Sequence, residues 1–311
     1  MREQIYRQLK QAGGFISGET VSAPLGITRA ALWKHIRAIE ADGAVIESAP
    51  KRGYRLVSPP EIPRAEYVRA HIRHNVVVVY KTSTTSTNDD AKAAASGLAE
   101  GVFIAGEQTS GKGRKGRAWV SAPRSGVYMS FLVRPVSEPE RVAGLTLAAA
   151  VAMCRAIESL ADVTARIKWP NDIIIGGKKA AGILTESMLS MDGVDFVVCG
   201  IGVNTYARFE GALAETATAV PVNGTLLAAA MIDRFFDAFG QFEQSGLAPF
   251  MDEFRQRSAI FGTVTVLSGA DSQSGVLAGY DDDGALLLRC GAQLKRFVAG
   301  EVTLRGDEGY V

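Results

Sequence analysis

Cysteine and histidine are scarce in this 311-residue chain, three of each. Cys154, Cys199 and Cys290 are odd in number, far apart and free of any CxxC pair, which argues against a disulfide framework and for thiols kept reduced. His35, His71 and His74 lack the spacing of a zinc site. No apolar run reaches the roughly 20 residues that span a bilayer. The start, Met1-Arg2-Glu3-Gln4, has neither the basic opening nor the apolar stretch of a signal peptide. The expectation is a cytoplasmic protein with no membrane partner. Net charge is nearly absent as well, at +1, but it is unevenly spread. Residues 1–60 hold nine Lys/Arg against five Asp/Glu, leaving the remainder at −3. A basic head on a mildly acidic body suits a polyanion, although charge alone fits a solvated surface equally well.

What is present reads first as a small helical head. Ile5, Tyr6 and Leu9 stand at helical spacing, and Gly13-Gly14 ends that helix. A short segment from Ser17 to Ala23 stops at Pro24. Thr28 is placed to cap a third helix, which carries Leu32, Ile36 and Ile39 on one face and stops at Gly43. Val45-Ile46 and Tyr54-Arg55-Leu56 then read as two short strands joined by Pro50-Lys51-Arg52-Gly53. This order predicts a winged helix-turn-helix, with the third helix in the major groove and the wing on phosphate. Gly18, Thr28, Arg29, Lys34, Arg37, Lys51 and Arg52 are the DNA-binding candidates; a ligand-free helical cap is the alternative. Pro59-Pro60-Glu61-Ile62-Pro63 reads as a stiff linker and domain boundary.

The body, residues 64–261, alternates apolar strands with helices. The strand Val76–Tyr80 runs into Ser86-Thr87-Asn88, either a polar cradle or a plain helix cap. After a strand at Val102–Gln108 comes Gly111-Lys112-Gly113-Arg114-Lys115-Gly116-Arg117, four cations and three glycines in seven residues. The glycines let backbone amides approach an anion that the cations neutralise. Gly106–Lys112 imitates a P-loop but has Gly113 where Ser/Thr is needed. Gly111–Gly116 imitates a dinucleotide fingerprint, but a strand follows where a helix should. A mobile anion-binding loop between strands remains, with a solvated basic loop as the alternative, which the entropy cost of three glycines disfavours. Ser137-Glu138-Pro139-Glu140 is a capping box for a helix to about Leu160. Lys168-Trp169-Pro170-Asn171-Asp172 gathers a cation, an aromatic ring, an amide and a carboxylate at a strand end. A hairpin turning at Gly176-Gly177 carries Lys178 and Lys179, and a strand ends in Gly202-Val203-Asn204. The stripe Leu227, Met231, Phe235 and Phe239 is core. In residues 262–311, five short runs with a turn at Asp281-Asp282-Asp283-Gly284 read as an SH3-like β-barrel.

Together, Ser86-Thr87-Asn88, the Gly111–Arg117 loop, Lys168–Asp172, Lys179-Ala180-Ala181-Gly182-Ile183-Leu184 and Gly202-Val203-Asn204 resemble the biotin–protein ligases in order and rough spacing. With the head, the chain resembles the bifunctional bacterial ligase and biotin operon repressor along its whole length. The resemblance implies an α+β architecture: a winged helix, a class II synthetase-like mixed sheet with flanking helices, and the barrel. It implies that biotin and ATP form biotinyl-5′-AMP, and that biotin then passes to a lysine of a biotin carboxyl carrier protein. It also implies Mg²⁺, operator DNA, no tightly bound prosthetic group, and a homodimer when the adenylate is bound. Of the two lysines the family pattern selects Lys179, which with Arg114 and Asp172 would be catalytic, Asp172 either reaching Mg²⁺ or ordering Lys168. Ser86, Thr87, Asn88, Gln108, Lys112, Gly113, Arg114 and Lys179 would bind biotin. Arg114, Arg117, Trp119, Lys168, Asn171 and Asn204 would bind the nucleotide. Lys112 departs from the family's usual arginine, and a lysine cannot hold an anion in two-pronged fashion. A lipoate–protein ligase is the neighbouring alternative, opposed by the head and the basic loop; a repressor that binds the adenylate without transferring biotin is another.

Overall fold

The computed structural model describes residues 1–135, 142–190, 193–268 and 271–304. The capping box at Ser137–Glu140 lies outside these. The head is built from α1 (Arg2–Ala12), α2 (Gly18–Ser22), α3 (Arg29–Ala41), β1 (Val45–Ala49) and β2 (Gly53–Ser58). Thr28 caps α3, its hydroxyl oxygen accepting from Ala31 N at 3.1 Å. Ile5, Tyr6, Leu9, Leu32, Ile36 and Ile39 bury together as the helical spacing predicts. β1 and β2 form the antiparallel wing.

The prolines do not act as a spacer standing clear of both domains. Asn223 Nδ2 donates to the Pro59 carbonyl at 3.0 Å and Thr225 Oγ1 to that of Ile62 at 3.1 Å. The following α4 (Ala65–Val68) sends Tyr67 into the head's own core. There the Tyr67 hydroxyl donates to the buried Asp42 at 2.6 Å, and Arg64 pairs with the same carboxylate at 2.9 Å. Tyr6 Oη lies 2.6 Å from His71 Nε2. Burial drops the His71 pKa to about 4, so the ring is neutral in its hydrogen bond with Tyr6. Head and body therefore meet through a packed polar junction.

The body is a seven-stranded mixed sheet. Its strands are β3 (Val78–Lys81), β4 (Gly101–Ala105), β5 (Gly126–Val133), β6 (Arg166–Lys168), β7 (Asp172–Ile175), β8 (Lys178–Ser190) and β9 (Gly193–Asn204), in the order β3-β4-β5-β9-β8-β7-β6. Among these described strands only the β3–β4 pair is parallel. Side chains alternate across the sheet. Val127, Met129, Phe131 and Val133 with Val197, Cys199, Ile201 and Val203 face the main core. α6 (Val142–Glu158) and α8 (Gly224–Ser245) pack there, with Phe131 stacked on Phe235 at a centroid distance of 3.9 Å. The opposite face carries α5 (Thr87–Ala94) over Phe103, Leu132 and Val198. Beside α5 the same face shows small residues, Ser130, Gly182, Gly200 and Gly202, and there the sheet is open. Besides α4, two further short helices that the sequence pattern does not mark are α7 (Ala212–Thr216) and α9 (Ala248–Gln256).

The C-terminal strands β10 (Thr263–Ser268), β11 (Asp271–Tyr280), β12 (Leu286–Cys290), β13 (Gln293–Phe297) and β14 (Glu301–Leu304) form an antiparallel sheet ordered β13-β12-β11-β10-β14. The turn at Gly284 docks on the body, its carbonyl accepting from Trp169 Nε1 at 3.0 Å. Cys154 and Cys199 are buried and, like Cys290, unpaired; burial raises the first two thiols to about 12, so they stay protonated. No helix among the described residues is long and apolar enough to cross a membrane.

Candidate active site and DNA-binding face

The open part of the sheet is the floor of a cavity of about 390 Å³, a volume suited to a small molecule. Ser86, Thr87, Asn88 and Gln108 line one end; Lys112, Gly113, Arg114, Arg117, Trp119, Lys168, Asn171, Asp172 and Lys179 line the rest. Every ligand-site candidate except Asn204 is thus gathered here. Asn204 is buried at the end of β9, with Nδ2 donating to the Thr218 carbonyl at 3.2 Å; it ties that strand end to the segment beyond α7.

Strand parity and one bulge decide which lysine enters. β7 and β8 pair Ile173 with Ala181 but Ile174 with Lys179, so one extra residue, Ala180, interrupts the alternation. The bulge puts Lys179 on the same face as Gly182. Its Nζ lies 2.7 Å from Asp172 Oδ1 and 5.4 Å from the centre of the Trp119 ring. Lys178 points away and donates to the Ala214 carbonyl at 2.6 Å.

The indole of Trp119 lies against the glycines of the sheet. A Cβ on Gly202 would fall 2.4 Å from its Nε1, and one on Gly182 3.1 Å from its ring. The same Nε1 is buried without a hydrogen-bond partner among the described residues, a donor an incoming polar group can satisfy. Asn88 occupies the matching position over Gly200, where a Cβ would fall 2.1 Å from its Oδ1. The missing side chains on this face let Trp119 and Asn88 lie directly on the sheet, where they form the floor of the cavity.

The cavity is positively charged, with five Lys/Arg facing Asp172 and Glu301. Burial lowers the pKa of Arg114 and of Lys168, the latter helped by the neighbouring Lys179 and Arg117. An anion entering here would relieve both costs. The Gly111–Arg117 loop is tied by Gly113 N to the Arg117 carbonyl at 2.7 Å. Its cations already have partners. Arg114 Nη1 donates to Asn171 Oδ1 and to the Gly300 carbonyl, each at 3.1 Å. Arg117 pairs with Glu301, and Lys112 with Asp89 at 2.5 Å. Asn171 therefore positions Arg114, while its own Nδ2 bonds the Ile183 carbonyl at 2.9 Å.

Sequence reasoning missed Ser121, Ser130, Glu186, Thr216 and Glu301 in and around this site. Glu301 and Val302 belong to the C-terminal domain, which closes one wall of the cavity. The recurrence of glycine at 182, 200 and 202 was the available signal for the floor. On the head, Arg29, Lys34, Arg37, Lys51 and Arg52 are all exposed, and Gly18 opens α2. Arg37 lies over Trp33 at 5.2 Å, and Arg52 over Phe15 at 3.9 Å. Trp33, also missed, is 53% exposed on α3.

Three family profiles match the chain in the same order as its domains. The biotin/lipoate A/B protein ligase family matches residues 78–204, an HTH domain residues 1–55 and the biotin protein ligase C terminal domain residues 260–305. The chain is similar in structure to a mutant of the Aquifex aeolicus biotin protein ligase in complex with biotin. That likeness has a TM-score of 0.64 at 26% identity, covering 74% of this chain and 98% of the other. The bifunctional ligase/repressor BirA of Bacillus subtilis is 33% identical, covering 98% of both chains. The biotin–[acetyl-CoA-carboxylase] ligase of Paracoccus denitrificans is 35% identical over 72% of this chain and 98% of its own length. The chain belongs to the biotin–protein ligase family, in its bifunctional ligase/repressor branch.

Proposed function

We propose that the protein joins biotin to ATP as biotinyl-5′-AMP and passes biotin to a lysine of a biotin carboxyl carrier protein. Through its head it represses biotin biosynthesis genes, with biotinyl-AMP as corepressor. One observation carries the ligase reading: a single cavity brings the hydroxyls and amides of Ser86, Thr87, Asn88 and Gln108 together with five cations. In the first step an oxygen of the biotin carboxylate bonds to the α-phosphorus while the bond to the pyrophosphate oxygen breaks. Two anions must approach, and Lys179 and Arg114 supply the charge that permits it. Arg117 and Lys168 hold phosphate oxygens, and Trp119 packs on adenine. In the second step the carrier lysine, as its neutral amine, attacks the acyl carbon; AMP leaves and the amine loses a proton.

A magnesium ion fits as part of the nucleotide. No group of three His, Cys, Asp or Glu side chains able to hold a metal occurs among the described residues. Asp172 is the residue that would hold it beside the nucleotide phosphates. Bound there, it would supply positive charge that screens the phosphates.

For the head, exposed cations on α3 and on the wing support duplex DNA as partner. One recognition helix reads one half-site, so repression needs a second copy of the chain. Both partners place the work in the cytoplasm. The test is incubation with biotin, ATP, Mg²⁺ and a carrier domain, with lipoate in parallel. A mass gain equal to biotin on one carrier lysine is expected. Transfer of lipoate in preference to biotin would overturn the assignment.

A further inference from the structure

Behind the polar end of the cavity, a row of hydrogen bonds leads from its lining to side chains that do not line it. Ser130 on β5 is fully buried. Its Oγ lies 2.7 Å from Thr87 Oγ1 and 2.5 Å from Asn88 Oδ1. Asn88 Nδ2 donates to Glu186 Oε2 at 2.6 Å, and Lys92 Nζ to Glu186 Oε1 at 2.6 Å. Burial works to raise the Glu186 carboxyl, but the hydrogen bonds from Lys92 and Asn88 hold it below the ordinary range. Glu186 is therefore an anion that can only accept.

The direction of every bond in the row follows from that charge. An acceptor-only carboxylate requires Asn88 to turn its NH₂ toward β8, leaving Oδ1 toward Ser130. Ser130 has one hydrogen, and Asn88 Oδ1, with none of its own, must receive it. The 2.7 Å contact between the two hydroxyls then needs the hydrogen of Thr87. Gln108 Oε1 also lies within reach of the Thr87 hydroxyl, but at the longer distance of 3.1 Å, and it already accepts from Thr87 N at 2.8 Å, so the shorter contact to Ser130 takes the hydrogen. What Thr87 Oγ1 has left for the cavity is a lone pair.

We propose that Glu186 and Ser130 are positioning residues that orient Thr87 as an obligate acceptor, so that the cavity selects a ring presenting an N–H, a cyclic urea, over a ring of like size without one. This rests on biotin being the acid that is activated. A ligand N–H at Thr87 extends an unbroken chain of donors ending on a fixed charge, and each link polarises the next. A ligand with a methyl in place of that hydrogen leaves the threonine lone pair buried and unmet, which is costly.

The experiment compares biotin with biotin methylated on its ureido nitrogens. Binding is measured by calorimetry on the full chain for wild type, Glu186→Gln and Ser130→Ala, with ATP titrated separately. In wild type biotin binds and the methylated analogue binds weakly. In each variant biotin affinity is expected to fall about tenfold, the scale of one hydrogen bond. The analogue should change little and ATP should keep its affinity, so the preference for biotin shrinks about tenfold. Ser130→Ala removes one buried oxygen and leaves the Lys92–Glu186 pair whole, so it carries the test even if Glu186→Gln unfolds. Equal loss of both ligands, or an unchanged preference, overturns the proposal. Wild type that binds no biotin at all would instead sink the ligase reading beneath it.

Discussion

Replacing Lys179 by alanine removes an ammonium that sits 2.7 Å from Asp172 Oδ1 at the centre of the cavity. Two effects follow, and they are separable. Opposite charges about 4 Å apart interact by about 4 kcal/mol at the effective dielectric of a protein surface, roughly 20. The part realised only as charge builds on the reacting phosphate is the part that accelerates the reaction, on the order of 10²- to 10³-fold. The second effect is on stability. Asp172 loses its ion pair with Lys179, and leaving a partly buried acceptor unmet costs about 1–3 kcal/mol. Lys168 moderates this, since its charge also acts on Asp172. The melting temperature is therefore expected to fall by a few degrees while the fold persists. Biotin-dependent exchange of pyrophosphate into ATP measures the first effect, and thermal unfolding the second. Lys178→Ala, whose side chain bonds the Ala214 carbonyl away from the cavity, should keep the exchange rate. Near-normal exchange in Lys179→Ala would falsify the catalytic role. Loss in Lys178→Ala alone would show that the bulge at Ala180 does not direct Lys179 to the reacting atoms.

Gly202→Ala puts a Cβ 2.4 Å from Trp119 Nε1, so the indole must move. Affinity for the adenylate is expected to drop at least about tenfold, read by equilibrium binding, and unchanged affinity would refute the role of Trp119 as a nucleotide platform. Removing residues 1–60 should abolish operator binding and keep adenylate synthesis, but it also strips Asp42 from Arg64 and Tyr67. The truncated body should therefore melt several degrees lower than the full chain; an unchanged melting temperature would mean the junction contributes nothing. Biotin plus ATP should raise the dimer fraction and operator affinity together, with a coupling of about 1–3 kcal/mol, and Lys179→Ala should abolish that response. Sedimentation and operator titration identical with and without ligands would exclude the corepressor mechanism while leaving the ligase intact.

Much of the molecule was legible along the chain because it depends on neighbours in sequence. Helical spacing of Ile5 and Leu9, and of Leu32, Ile36 and Ile39, predicted the buried faces of the head. Thr28 before a helical run announced the cap that the structure shows. The loop Gly111–Arg117 announced its cluster of cations through composition alone, and the motif order declared the family. Other features depend on residues brought together from afar, and local pattern has no access to them. The prolines at 59–63 read as a stiff linker because stiffness is local. That Asn223 and Thr225 pin them, and that Tyr67 completes the head's core, depends on α8 and α4 packing beside them. The role of the C-terminal domain was silent along the chain; it emerges only where Gly300 and Glu301 meet Arg114 and Arg117. Alternation counted back from Gly182 would have placed Lys178 in the site. Only pairing with β7, which leaves Ala180 as the extra residue, turns Lys179 there instead. A bulge is a property of two strands in register, and one strand's sequence does not contain it.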